Sequence, residues 1–187
     1  MITYQFDEDM LRYVEKKLGA MKSEARRVLR NAVNKTAVSA RVKLRQEAQK
    51  RYTVKAAGVN ARIDIEKATL AAPSAALKVK GRTLTMPRFR STAPKGGVKA
   101  EIIKGKGLRT VEGPRRIKAF VARAQGLVMQ REGEERYPLK ALRSVSVPKM
   151  IEMVYDGRNI TSTPLREEID RLYRHYVEQE TERMLST

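Results

Sequence analysis

Side chains that could perform acid–base, nucleophilic or metal chemistry are few and scattered in this sequence. The single histidine, His175, stands between Arg174 and Tyr176, with no second histidine to share a metal ion. Cysteine is absent, which removes disulfides, thiolate ligands and thiol nucleophiles together. A surface or packing role for His175 is therefore strongly favoured over a role as a ligand or a base.

The carboxylates form clusters at 132–135, 167–170 and 178–182. Nothing near them in the sequence predicts the desolvation that would shift a pKa for general acid–base work. They fit a wet loop and helix faces better. Gly105-Lys106-Gly107 lacks the other residues of a phosphate-binding loop, so a hairpin turn is favoured there. We expect no enzyme activity, no metal and no cofactor.

Contact with anions is the chemistry that the composition does support. The 187 residues include 40 Lys and Arg against 21 Asp and Glu, a net charge of +19. Nearly all the excess lies in residues 22–55, net +9, and residues 78–118, net +11. Such a field attracts nucleic acid, acidic protein surfaces or anionic membranes. A membrane partner is not expected, because the basic helix predicted below has an alanine-rich face rather than one of Trp, Phe and Leu.

Residues 78–118 predict a positively charged surface on hairpin strands and loops, which we call the basic rim. Contacts of this kind engage phosphates without reading bases. A solvated basic surface, or a dock for an acidic subunit, is an equal alternative. Of the two aromatic residues that could stack on bases, Phe89 and Phe120, we expect Phe120 in the core. The basic rim comprises Arg82, Arg88, Arg90, Lys95, Lys99, Lys104, Lys106, Arg109, Arg115, Arg116 and Lys118.

A long helix from Met21 to Arg51 is predicted to position the other elements. No Gly or Pro interrupts it, and small or apolar residues recur along one face in steps of three and four. Because that face is rich in alanine, another element must approach the helix axis closely. The charges on its other faces are either solvated or meet acidic segments such as 167–182 of a neighbouring copy. The packing face comprises Ala25, Leu29, Val33, Ala37, Ala40 and Leu44.

Alternating apolar and polar residues predict β-hairpins at 76–86, 98–112 and 117–131. Residues 1–20 are predicted to form a short helix, and residues 60–66 fit a strand or a short helix equally. The predicted class is α+β, with a long N-terminal helix and a C-terminal helix packed on an antiparallel β-sheet of hairpins.

The C-terminal helix is predicted to begin at Ser162 or Thr163, with Pro164 in its first turn. We divide the chain into an α+β domain at 1–155 and a helical extension at 156–187, packed on or next to that domain.

Several segments resemble the bacteriophage minor tail protein Z family, the tail-completion proteins of long-tailed phages and their prophages. The resemblance covers roughly residues 25–155 and lies in the order and spacing of short pieces. It leaves out the first 20 residues and the C-terminal helix. The pieces are LRNAVNKTA at 29–37, QKRYTVK at 49–55, LKVKGR at 77–82, PRF at 87–89, AFVA at 119–122, RYPLK at 136–140 and SVPKM at 146–150.

The resemblance implies a structural virion protein, not an enzyme, that acts at the head-proximal end or neck of the tail. Such proteins commonly form rings, often of six copies. The implied partners are other copies of the chain and neighbouring tail-terminator, tail-tube or head–tail connector subunits, with non-specific contact to packaged DNA. The implied location is the virion, after assembly in the host cytoplasm. The alternative function is that of a stand-alone basic nucleic-acid-binding protein.

Overall fold

A computed structural model of the chain describes residues 2–5, 8–54, 59, 63–72, 74–112, 117–122, 126–158 and 164–186. The chain divides into two compact units, each discontinuous in sequence. The first unit comprises Met1–Arg45, Ile63–Lys80 and Ile151–Thr187, and the second comprises Gln46–Arg62 and Gly81–Met150. The division into domains at 155/156 stays a prediction.

Four α-helices form within these described ranges: α1 (Glu8–Leu18), α2 (Ala25–Arg51), α3 (Val147–Tyr155) and α4 (Leu165–Leu185). A 3₁₀ segment, Gly19–Glu24, separates α1 from α2. Gly19 adopts a positive φ of 55°, which glycine tolerates and which breaks the helical path. The predicted long helix therefore begins at Ala25 rather than at Met21, which is exposed. The predicted caps Ser162 and Thr163 lie outside the described residues.

The described strands form four antiparallel sheets, ordered β1-β3-β2, β10-β9-β8, β11-β4 and β5-β6-β7. Together with the long α2 and the C-terminal α4, they confirm the α+β class. The strands are β1 (Ile2–Gln5), β2 (Ile63–Glu66), β3 (Ser74–Val79), β4 (Thr83–Thr85), β5 (Arg90–Thr92), β6 (Lys99–Glu101), β7 (Arg109–Thr110), β8 (Phe120–Ala122), β9 (Leu127–Arg131), β10 (Leu139–Ala141) and β11 (Arg143–Ser146).

Two of the predicted hairpins are confirmed, β6 with β7 and β8 with β9. The hairpin predicted at 76–86 is wrong, because β3 and β4 belong to different sheets. Leu77 of β3 pairs with Ile2 on one side and with Ile65 on the other, so β3 is a central strand. The period-two pattern indicates a strand but not its partner. It also missed β1, which precedes α1 in the segment predicted as helix.

The alanine-rich face of α2 is the packing surface of the first unit, and its six predicted residues are fully buried. Toward its start, Ala25 and Leu29 pack with Val14 of α1 and Val177 of α4. One turn further, Val33 and Ala37 pack with Ala68 and with Ala75 of β3. The small side chains let a sheet and the segment before it come close to the helix axis.

The asparagine Asn34 fixes that approach. Its side chain donates to the Ala68 carbonyl oxygen over 3.0 Å and accepts the Ala68 N–H over 2.8 Å. Both backbone polar groups of Ala68, a buried residue, are thereby satisfied by one side chain.

Acidic residues of α4 meet α2 within the same chain. Lys35 pairs with Glu180 over 2.7 Å, and Lys43 pairs with Glu168. Asn31 also donates to Glu180 over 3.2 Å. The sequence left two alternatives for the charges of α2: solvation, or contact with segment 167–182 of a neighbouring copy. For Lys35 and Lys43, the same segment of the same chain supplies the acidic partners.

Glu180 is 3% exposed, and its environment sets its ionisation. Burial alone would raise the pKa of its carboxyl group, but the hydrogen bonds from Lys35 and Asn31 and the nearby charges outweigh burial. The pKa therefore lies below its ordinary value.

The second unit has its own core. Met86, Val98, Ala100, Ala119 and Val128 form its buried cluster, drawn from the 3₁₀ turn Met86–Arg88, from β6 and β9, and from the residues directly before β6 and β8. None of the helices in the described ranges has the length and apolar composition needed to cross a bilayer.

Replacing Ala37 by Leu should overpack the contact with Ala68 and Ala75. We expect a loss of about 1–3 kcal/mol in the free energy of unfolding, measured by urea denaturation. The matched control is Val38→Leu, because Val38 is the exposed neighbour on the same helix. Equal stability of the Ala37→Leu variant and the wild type would show that this face tolerates bulk.

The lowered pKa of Glu180 predicts an acid-sensitive contribution to stability. The contribution is present above the unfolded-state value of about 4.3 and is lost as the pH falls through the lower folded-state pKa. Glu180→Gln should remove it, costing about 1–3 kcal/mol at pH 7 and flattening the fall of stability below pH ~5. Denaturation midpoints across pH measure this, with exposed Glu178→Gln on the same helix as control. An unchanged pH slope in Glu180→Gln contradicts the assignment.

Candidate interaction surface of the second unit

All eleven residues of the basic rim belong to the second unit. The structure describes nine of them, and all nine are exposed. Arg115 and Arg116 lie outside the described residues. The nine lie on strands β5 to β7, on the 3₁₀ turn before β5, on the loops that join these strands, and shortly before β4 and β8, where side chains reach solvent: Arg82, Arg88, Arg90, Lys95, Lys99, Lys104, Lys106, Arg109 and Lys118.

Arg90 differs from the other eight described residues of the basic rim because its charge is paired with a described residue. Its guanidinium lies 3.1 Å from the buried carboxylate of Glu101. The other oxygen of Glu101 accepts the N–H groups of Gly105 over 2.9 Å and Gly107 over 3.2 Å. Both glycines have positive φ, 81° and 71°, which suits the tight loop that this carboxylate holds.

The loop held by Glu101 joins β6 to β7 and carries Lys104 and Lys106. The chain leaving α2 supports it from outside, since the Lys104 N–H donates to the Arg51 carbonyl over 2.8 Å. Thr53 adds a backbone hydrogen bond to Ile102 over 3.0 Å. The buried carboxylate of Glu101 and the backbone hydrogen bonds to the chain that leaves α2 thus fix the positions of Lys104 and Lys106.

An open groove of about 880 Å³, the basic groove, lies in the same unit. It is lined by residues 93–98, residues 117–121 and Arg131. Its cations are Lys95, Lys118 and Arg131. Phe120 and Val121 of β8 add exposed apolar surface, and β8 is an edge strand of its sheet. The groove therefore combines positive charge with an apolar strip.

The two phenylalanines are placed opposite to expectation. Phe89 is 3% exposed, so it is core, whereas Phe120 is 36% exposed and lines the groove. The prediction for Phe120 is wrong because strand alternation does not reveal that β8 ends a sheet. Arg131 also lines the groove but lies outside both basic blocks, so the charge distribution along the sequence did not indicate it.

The loop between β9 and β10 forms an acidic projection, which we call the acidic tip: Glu132, Glu134, Glu135 and Tyr137. All four residues are exposed, and Tyr137 is 64% exposed. The Arg136 guanidinium lies 5.8 Å from the centre of the Tyr137 ring. None of the three carboxylates forms an ion pair with any residue that the structure describes.

The titratable side chains do not assemble into a reactive constellation in the described part of the chain. His175 is exposed on α4, 5.7 Å from the Tyr176 ring. No group of three His, Asp or Glu residues in the described ranges could hold a metal ion. What the arrangement offers chemically is charge and shape for binding.

A family model described as prophage minor tail protein Z (GPZ) matches residues 13–186. The match extends beyond residues 25–155, where the sequence resemblance lies, and includes α4. No curated protein matches the chain. No solved structure matches it either.

Glu101→Ala should free the loop between β6 and β7. Two backbone donors and Arg90 lose their buried acceptor, so we expect a loss of about 1–3 kcal/mol in stability. Trypsin should then cleave the chain faster after Lys104 and Lys106. Mass spectrometry of the fragments over time measures the rate of this cleavage. The control is Glu112→Ala, which removes an exposed carboxylate from the same region. Cleavage at the wild-type rate would contradict the role given to Glu101.

Proposed function

The chain belongs to the prophage minor tail protein Z family, and on that premise we propose that it completes the phage tail at its head-proximal end. In this proposal identical copies form a ring, and the ring joins the tail to the head–tail connector. The role is structural rather than catalytic, and the protein acts in the virion after assembly in the host cytoplasm.

The observation that carries the proposal is the family match itself. It covers residues 13–186, so it includes the long helix α2, the strands β2 to β11 and the basic rim. A family of phage minor tail proteins has its place in the tail. The location at the neck and the ring are the finer steps that we propose.

The basic rim suits a position beside the path of packaged DNA. Eight of its nine described residues remain after Arg90 is set aside, and these eight are exposed. Lysine and arginine on loops engage phosphates without regard to sequence, which is what passing DNA requires. In a ring each weak contact is repeated by symmetry, so the contacts add up.

Sheet edges offer the surfaces for protein partners. In the second unit β5, β7, β8 and β10 are edge strands of the described sheets. Edge strands present backbone donors and acceptors that another chain can pair with. The proposed partners are other copies of the chain and the neighbouring tail-terminator, tail-tube or connector subunits.

A stand-alone nucleic-acid-binding protein is the second candidate, favoured by the net charge of +19. Single-strand binders combine a basic groove with several aromatic stacking platforms. Phe89, inside the basic block at 78–118, is buried, so among the described residues in and next to that block Phe120 alone is an exposed aromatic. This makes binding to single strands the weaker candidate.

Removing three rim charges tests the proposal. Arg88, Lys106 and Arg109 are replaced by Gln in a phage that depends on this protein. We expect an unchanged melting temperature but an infectious yield lower by about tenfold or more, since each lost contact is repeated around a ring. Electron microscopy should show tails and filled heads that are not joined.

The matched control replaces Arg166, Arg171 and Arg174, which are exposed on α4, by Gln and should leave the yield unchanged. Normal yield from the rim variant rejects the role of the rim. Absence of the chain from purified particles rejects the virion role. In that case, binding of duplex DNA with an affinity that falls as a high power of salt concentration would favour the second candidate.

A further inference from the structure

We propose that the acidic tip of one copy docks into the basic groove of a second copy of this chain. The proposal rests on the proposed function, because it supplies the contact between copies that a ring needs. The contact has two sides. One copy contributes the acidic tip, Glu132, Glu134, Glu135 and Tyr137, and the other contributes Lys95, Lys118, Arg131 and the edge strand β8.

The groove is complementary to an occupant that has both negative charge and apolar surface. Its three cations form no ion pair with a described residue. The exposed side chains of Phe120 and Val121 line the same groove. A volume of about 880 Å³ is ample for an aromatic side chain with its flanking residues. A phosphate chain would satisfy the cations but would leave the apolar strip uncovered.

The acidic tip carries the complementary groups in a short stretch. Residues 132–137 hold three carboxylates and one cation, Arg136, so the stretch has a net charge of −2 opposite the three cations of the groove. Tyr137, 64% exposed, is the kind of residue that dominates interface energies, since it buries a large ring at little cost in side-chain entropy. The tip therefore pairs charge with charge and ring with apolar strip.

Of the three carboxylate clusters, the acidic tip is the one in which no carboxylate pairs with a residue that the structure describes. On α4, Glu168 pairs with Lys43 and Glu180 pairs with Lys35 inside the chain. The carboxylates of the tip have no such partner among the described residues. A chain of net charge +19 repels its own copies, so contact between copies must bring its unpaired acids to its cations.

The groove and the tip lie on the same unit, but no ion pair joins them within the described chain. In the sheets that the structure describes, β8 pairs with β9 on one side only, so an extended segment from another copy could add backbone hydrogen bonds on the other. A contact between two different surfaces of identical subunits is heterologous, and heterologous contacts close into rings when the rotation permits.

Charge exchange between two variants tests the contact in the full-length chain. The tip variant carries Glu132→Lys, Glu134→Lys and Glu135→Lys, and the groove variant carries Lys95→Glu, Lys118→Glu and Arg131→Glu. By analytical ultracentrifugation each variant alone should self-associate at least about tenfold more weakly than the wild type. An equimolar mixture should recover association, because each reversed surface then meets an opposite charge.

A matched control separates this contact from a general effect of net charge. Asp170→Lys, Glu178→Lys and Glu182→Lys make the same change in charge on exposed positions of α4. This control should associate as the wild type does. Equal weakening of the control, failure of the mixture to recover, or a wild type that stays monomeric at about 1 mM would each overturn the proposal.

Cysteine cross-linking gives a second readout that does not depend on charge. Because the chain has no cysteine, a Glu134→Cys chain mixed with a Lys118→Cys chain offers one thiol on each side. Mild oxidation should join the two chains, whereas Glu178→Cys mixed with Lys118→Cys should not react appreciably. No cross-link in the first mixture, or equal cross-linking in both, overturns the contact.

The outcomes distinguish this contact from the proposed function. A specific cross-link in a chain that is missing from purified particles supports the contact and rejects the virion role. A chain present in particles but lacking the cross-link keeps the virion role and rejects the contact. A third outcome is that a short duplex DNA binds and blocks the first cross-link, while the charge variants show no change in self-association. That outcome assigns the groove to nucleic acid and overturns the proposal.

Discussion

The close approach of β3 and the Ala68 segment to α2 is the constraint on which the first unit depends. It requires small side chains at Ala37 and Ala75 and a polar partner for the Ala68 backbone, which Asn34 supplies. On the same helix, Lys35 and Asn31 tie α4 down through the buried carboxylate of Glu180. Apolar packing sets the distance between these elements, and the hydrogen bonds of the buried polar groups fix their register.

The sequence predicted those features of the fold that depend on residues close together in the chain. It did not predict those that depend on partners far apart in the chain. The face of α2 follows from a helical period that needs no knowledge of partners, and α2 does bury it. The β8–β9 hairpin is also local, since only four residues separate its two strands in the sequence. The partners of β3 lie far away in sequence, in β1 and β2, so alternation alone could not identify them. The same holds for Glu180, whose partner Lys35 is remote in the chain.

The candidate surface was partly predictable for the same reason. Exposed lysines and arginines in a basic block are what composition favours, and the nine described rim residues reach solvent. Composition could not show that Arg90 is engaged by a buried Glu101, because that pairing depends on the loop geometry. Nor could it place Phe120 at a sheet edge or bring Arg131 beside Lys95 and Lys118, which requires the sheet order.

Electrostatics links these local features to assembly. Two copies at +19 repel over long distances, but at physiological ionic strength that repulsion is screened beyond about 8 Å. Contacts inside that distance are decided by the charges that face each other, and these act more strongly where water is partly excluded. Salt thus weakens both the general repulsion and the local attraction. An assembly that depended on net charge alone would grow steadily stronger with salt. One held by the acidic tip and the basic groove should instead be strongest at an intermediate ionic strength, where distant repulsion is screened and the facing charges still attract.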